Sequence, residues 1–198
     1  MKVSVILAIL AGVVVTIAAP LAERNGQDIV PLPSIYDKAF QDAVINEHNK
    51  LRKGHCAQPL RWDNDLARLA QADVNTCAEH VEHMRAGSNL MGFDPAPVNW
   101  IETGFNCSWQ WYSEEKKYDY QHPGFSDATG HFTQLVWRDS QRLGCAFAHC
   151  PGVNSVHSRF FCYYDPIGNY INPGMFEQNV WRKHSCAWEE TPEIPAEP

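Results

Sequence analysis

Seven cysteines (Cys56, Cys77, Cys107, Cys145, Cys150, Cys162 and Cys186) follow a single amino-terminal apolar run, and that combination constrains the chain before any other feature is read. The run extends from Val3 to Ala19 behind Lys2 and closes on Thr16-Ile17-Ala18 and Pro20. A basic start, a short apolar stretch and a small-residue exit have the form of a signal peptide, here residues 1–18. A single-pass anchor is the competing reading. Against it, the run is short and rich in Ala and Val, and no later stretch approaches the ~20 apolar residues of a spanning helix. Thiols in an oxidising compartment pair, and an odd count leaves one unpaired or joined to another molecule. Spacing alone does not select the pairs. A zinc ribbon would need paired Cys-x-x-Cys motifs, which the sequence lacks.

Charge narrows the function classes. Sixteen Lys and Arg stand against 23 Asp and Glu, a formal net charge of −7. Sequence-independent nucleic-acid binding needs clustered cations, whereas Lys116-Lys117 and Arg182-Lys183 are isolated pairs that read as solvated faces. After a signal peptide, about 180 residues remain, enough for one domain with its own core. An aromatic content of 12% suits a packed core and a lipid-facing groove equally.

Residues 19–34 hold Pro31 and Pro33, lack helical periodicity and read as a flexible leader. From Tyr36 to Arg52, Phe40, Val44 and Leu51 form a helical stripe, with Gly54 as a stop. A second helix starts at Asp63, a good cap, and buries Leu66, Leu69, Ala70, Val74 and Cys77. A third lies between Trp100 and Lys116, with Trp109 and Trp111 on different faces. A short helix spans His131 to Trp137. Leu143 to His149 and Phe160 to Tyr164 read as strands. Strands between helices on both sides give a three-layer arrangement. The domain is expected over residues 35–188, with a Pro-Glu tail, 189–198, that is expected to be disordered.

Gly130-His131-Phe132-Thr133-Gln134-Leu135-Val136-Trp137 resembles, without a gap, a signature of the CAP superfamily of cysteine-rich secretory proteins, venom antigens and plant pathogenesis-related proteins. Glu47-His48-Asn49, Arg52, Leu60-Arg61-Trp62-Asp63, Trp111-Tyr112-Ser113-Glu114 and Leu143-Gly144-Cys145 fall in the family's order. A second signature around Cys162-Tyr163-Tyr164-Asp165-Pro166-Ile167-Gly168-Asn169 is imperfect, with Tyr163 where a polar residue is usual and Arg159 where an apolar one is. The resemblance implies an α+β fold, a three-layer α-β-α sandwich with a central antiparallel sheet. It also implies the pairs Cys77–Cys150 and Cys145–Cys162, leaving Cys56, Cys107 and Cys186 open.

The family carries two histidines and two glutamates in a central cleft that can hold a divalent metal. His131 and Glu114 match one of each. The other glutamate belongs to a Gly-Glu-Asn-Leu motif, which here reads Gly87-Ser88-Asn89-Leu90. His80 is nearest the place of the second histidine, and His83 is its rival. Imidazoles bind zinc, and a neighbouring carboxylate orients the ring; with Ser88 in its place, a zinc site on His80 and His131 would be weak, and no cofactor is required. Ser88, His131 and Glu114 also have the residue types of a hydrolase triad, but Ser88 is in no Gly-x-Ser-x-Gly elbow. No catalytic residue is assigned. The loop Tyr118-Asp119-Tyr120-Gln121-His122-Pro123-Gly124-Phe125 resembles the one through which fungal members hold sterols, so Tyr118, Tyr120 and Phe125 are expected to form a lipid wall. Asn106-Cys107-Ser108 is a glycosylation acceptor. The resulting expectation is a secreted, monomeric, non-enzymatic carrier of sterols, fatty acids or similar lipids. The alternative is a secreted defence, allergen or host-modulating protein that engages a host or cell-surface protein, and a hydrolase is third.

Overall fold

The computed structural model describes residues 31–151 and 157–186. The expected signal peptide, the leader up to residue 30 and the tail lie outside the described residues; Leu32, at the end of the leader, packs against the core. Helix α1 (Lys38–Gly54) starts where the Asp37 carboxylate accepts from the backbone N–H of Ala39 and Phe40. Those are donors that the first helical turn cannot satisfy internally. Gly54 is the last residue of this helix, and the chain turns at His55 and Cys56. Strand β1 (Arg61–Trp62) leads into α2 (Asn64–Val74), which Asp63 caps in the same way. Strand β2 (Ser88–Phe93) precedes α3 (Trp100–Tyr112), capped by Asn99 and continued by a 3-10 turn (Ser113–Lys117). Helix α4 (Gly130–Leu135), strands β3 (Arg142–His149) and β4 (Ser158–Asp165), and helix α5 (Met175–Asn179) follow.

The four strands are ordered β1-β3-β4-β2. The sheet is mixed rather than wholly antiparallel: β3 pairs antiparallel with β4, and β4 with β2, but the two-residue edge strand β1 runs parallel to β3. Period-two alternation divides the sheet between two cores. Leu143, Cys145, Phe147, Phe160, Cys162 and Tyr164 face a large aromatic core under α1, α3 and α4. Ala146, Ala148, Phe161 and Tyr163 face a thinner core under α2, with Ala67, Ala70 and Val74 opposite. Close approach explains the small residues. A Cβ on Gly144 would lie 2.2 Å from the backbone N of Ala67, so the first turn of α2 sits directly on the strand.

Disulfides join Cys56 to Cys186, Cys77 to Cys150 and Cys145 to Cys162. Cys107 is unpaired and fully buried on α3, where burial raises its thiol pKa well above the usual range. Arg52 is buried without a carboxylate. Its guanidinium donates to the carbonyls of Gln58, Leu135, Trp137 and Ser140, so one side chain ties the end of α1 to the end of α4. Desolvation lowers its pKa to about 9, which still leaves it charged at neutral pH.

Candidate functional site: a cleft between helix α4 and the 79–87 segment

The floor of the site is set by a carboxylate borrowed from a neighbouring element. Helix α4 has no side-chain cap of its own. Glu114, in the turn after α3, supplies one: its Oε2 accepts from the backbone N–H of His131 (3.0 Å) and Phe132 (3.1 Å). Its Oε1 accepts from His131 Nδ1 at 2.7 Å. A carboxylate at a helix N-terminus meets unsatisfied donors and the positive end of the dipole. Because Nδ1–H is committed to Glu114, His131 presents the lone pair of Nε2. That atom is buried and has no hydrogen-bond partner among the described residues.

The ring of His131 lies between Trp111, stacked at 6.1 Å, and His83, at 5.7 Å between centroids. His83 Nδ1 is 2.8 Å from Ser88 Oγ, and Ser88 Oγ donates to the carbonyl of Arg85 at 2.8 Å. The serine has spent its proton on a carbonyl, so His83 is the donor in the pair. Desolvation, then the neighbouring His131, lowers the pKa of His83 and favours its neutral form. These groups border a cavity of about 630 Å³ that Met84, Phe125, Gly168 and Asn169 also line. The second histidine of the cleft is therefore His83. His80 is exposed on the preceding stretch and does not line the cavity.

The aromatic loop is divided. Tyr118 is buried against Phe132 and belongs to the core. Tyr120 meets Tyr118 edge-on, donates to Glu115 at 3.1 Å and carries the Arg182 guanidinium over its face. It lines a separate hollow of about 370 Å³ with Pro123 and Trp181. Only Phe125, 49% exposed, reaches the larger cleft. Its ring lies against Gly130, where a Cβ would be 3.0 Å from Phe125 Cε2. Tyr118 and Tyr120 therefore stay together while Phe125 alone reaches the larger cleft, and the three rings form no single wall.

The sequence profile of the Cysteine-rich secretory protein family, CAP, matches residues 45–164. The chain belongs to this family. It is 35% identical over 147 residues to human Golgi-associated plant pathogenesis-related protein 1, covering 72% of this chain and 93% of that one. To Arabidopsis thaliana pathogenesis-related protein 1 it is 34% identical over 158 residues, covering 77% and 90%. To PRY2 of Saccharomyces cerevisiae it is 36% identical over 146 residues, covering 71% of this chain but 41% of PRY2. The hookworm platelet inhibitor shares the fold at a TM-score of 0.59 and 19% identity, over 76% of this chain and 79% of that one. NaASP2, solved with Zn2+, also gives 0.59, at 16% identity over 74% and 87%.

In this CAP domain the two family signatures build the floor more than they line the cleft. From Gly130 to Trp137 only Gly130 and His131 border the cleft, and residues 132–137 are buried. Gln134 accepts from Gly168 N at 2.9 Å, and Asn169 donates to the carbonyl of Gly130 and accepts from Thr133 Oγ1. Gly168 is packed so tightly on Trp137 that a Cβ would lie 2.7 Å from its ring. Met84, Arg85 and Asp127 of the lining carry no sequence signal, because they lie outside every motif.

Proposed function

We propose that this CAP domain is a secreted, non-enzymatic carrier of a sterol or related small lipid, held in the cleft between Phe125 and His131. The observation that carries the reading is the cavity itself. Its volume, about 630 Å³, falls within the range of small-molecule sites. Phe125 and Met84 offer an apolar flank, and His83, Ser88 and His131 offer convergent polar groups for a hydroxyl. The expected wall of Tyr118, Tyr120 and Phe125 is reduced in this reading to Phe125. The signal-like run in the sequence and the three disulfides support an extracellular setting. Asn106, exposed on α3, is a reasonable glycan acceptor, since its neighbour Cys107 forms no bridge that would compete.

Chemistry argues against a hydrolase. Ser88 donates to a carbonyl and accepts from His83, so no base is positioned to take its proton. Metal chemistry has a thin donor set. The residues that could hold zinc are His83 and His131, while Glu114 is already committed to Nδ1. Two imidazoles fall short of the three protein ligands of a catalytic zinc, and among the described residues no group of three or more His, Cys, Asp or Glu could hold an ion. Native mass spectrometry of protein secreted from eukaryotic cells tests the carrier. Co-purifying lipid, lost in Phe125→Ala, supports it. A lipid-free protein that binds no added sterol leaves the surface-acting reading, for which Ile171, 81% exposed, and Val98, 77% exposed, are the natural contact points.

A further inference from the structure

The wall of the cleft opposite α4 is a strap. It leaves the body at Cys77, which has a left-handed backbone (φ 47°) and is bridged to Cys150. It returns at Gly87 (φ 70°), where a Cβ would lie 2.3 Å from Ile167. Between these fixed ends there is no helix or strand, and residues 82–86 are exposed. For residues 80–87, backbone-to-backbone hydrogen bonding among the described residues is confined to the far end, where Tyr164 N donates to the carbonyl of Gly87 at 2.8 Å. The middle is held through side chains. Arg85 Nε donates to Asp73 Oδ2 at 2.6 Å, and Nη2 to Oδ1 at 3.3 Å. Asp73, buried at the end of α2, also accepts from Tyr163 OH at 2.8 Å. Five residues of the cavity lining, 83–87, belong to this strap.

A second observation concerns what the strap covers. His131 Nε2 is buried and unpartnered beside the ring of His83, an acceptor that Glu114 leaves free by engaging Nδ1. An unsatisfied buried acceptor costs about 1–3 kcal/mol. Displacing the strap carries His83 away and opens Nε2 to a ligand hydroxyl. We infer that Arg85 and Asp73 form a latch: with its ends pinned by the Cys77–Cys150 bridge and by Gly87, the strap opens when this ion pair releases, and a hydroxyl-bearing lipid enters or leaves by that movement. The lipid part of this inference rests on the carrier reading; the latch part does not. Asp73 and Arg85 are thus positioning residues that touch no ligand.

Two measurements on the full chain separate the parts. Hydrogen–deuterium exchange without ligand is expected to speed up within residues 79–87 in Arg85→Gln by about fivefold, the upper end for a half-exposed ion pair. Arg85→Lys keeps the charge but loses the two-pronged geometry and should fall between. Tyr163→Phe leaves the pair intact and is expected to change exchange less than Arg85→Gln. Unchanged exchange in Arg85→Gln overturns the latch. Stopped-flow binding of a fluorescent sterol should then show association and dissociation both faster in Arg85→Gln, with the affinity nearly preserved, a pattern that a merely destabilised site would not give. Faster exchange with unaltered sterol rates overturns the gating. If the parent binds no sterol, the carrier reading falls, and the exchange result still decides the latch.

Discussion

The two walls of the cleft are held by different kinds of bond. On the α4 side, Glu114 accepts two backbone N–H groups, Asn89 donates to the carbonyl of His131 at 3.0 Å, and Asn169 donates to the carbonyl of Gly130 at 2.9 Å. Those ties are partly buried and are backed by a further, buried chain. Asn89 Nδ2 donates to Tyr164 OH, and Tyr164 donates to Nε2 of His48, whose Nδ1–H points to the carbonyl of Val44. On the opposite side, the middle of the strap is held by the Arg85–Asp73 ion pair and by Ser88 Oγ, which meets His83 Nδ1 and the carbonyl of Arg85, while Arg159 donates to the carbonyl of Ala78 near its start. A site built this way fixes the acceptor and lets its cover vary. Precision and access are assigned to separate walls.

The sharpest way to break this comparison is Glu114→Ala, which removes all three bonds at the head of α4. Charge-assisted bonds to buried donors are worth enough that a loss of about 4 kcal/mol is expected, read as the shift of a urea melt. A drop below 1 kcal/mol would mean that α4 is held by packing alone. Next comes acid. Burial lowers the pKa of His48 from 6.5 to about 4, so the folded protein keeps it neutral while the unfolded chain protonates it. The stabilisation is complete above pH 6.5 and is lost as the pH falls towards 4, with a total of about 3 kcal/mol. His48→Gln is expected to flatten the stability profile over that window, although His55, whose pKa is also lowered by burial, retains part of the slope.

Smaller effects follow on the ligand side. Phe125→Ala is expected to weaken sterol binding by about tenfold, as loss of one half-buried ring would. Tyr120→Ala, facing the other hollow, is expected to change it by less than about threefold, and equal losses in isothermal titration would restore the single aromatic wall. The smallest change is the stability of Arg85→Gln, within about 1 kcal/mol of the parent, because the arginine is half exposed. A larger loss would make the strap a structural member and erase the contrast between the walls.

Most of the rigid wall could be read from the sequence. Period-3.6 stripes gave α1 and α2, Asp63 marked its cap, and the run from Gly130 to Trp137 marked α4. β1 has two residues, and β2 carries Gly92 and Met91 in place of β-branched residues, so neither produces a strand pattern. The choice between His80 and His83 turned on the path of a segment without regular structure, where no periodicity applies. The division of the aromatic loop was hidden for a related reason. Pro123-Gly124 signals a bend in the sequence, but the chain turns at Tyr120-Gln121, and neither fixes which side of α4 each ring reaches. The Cys56–Cys186 bridge joins two ends that sequence spacing could not connect.

That last bridge has a consequence for how the domain meets a protease. It links positions 130 residues apart and so closes nearly the whole domain into one covalent ring. A protease that cuts the exposed stretch at residues 126–128 opens the ring without releasing a fragment. The nicked chain would migrate as one species until reduced, and its cleft floor, with both halves still tethered, could outlast the cut.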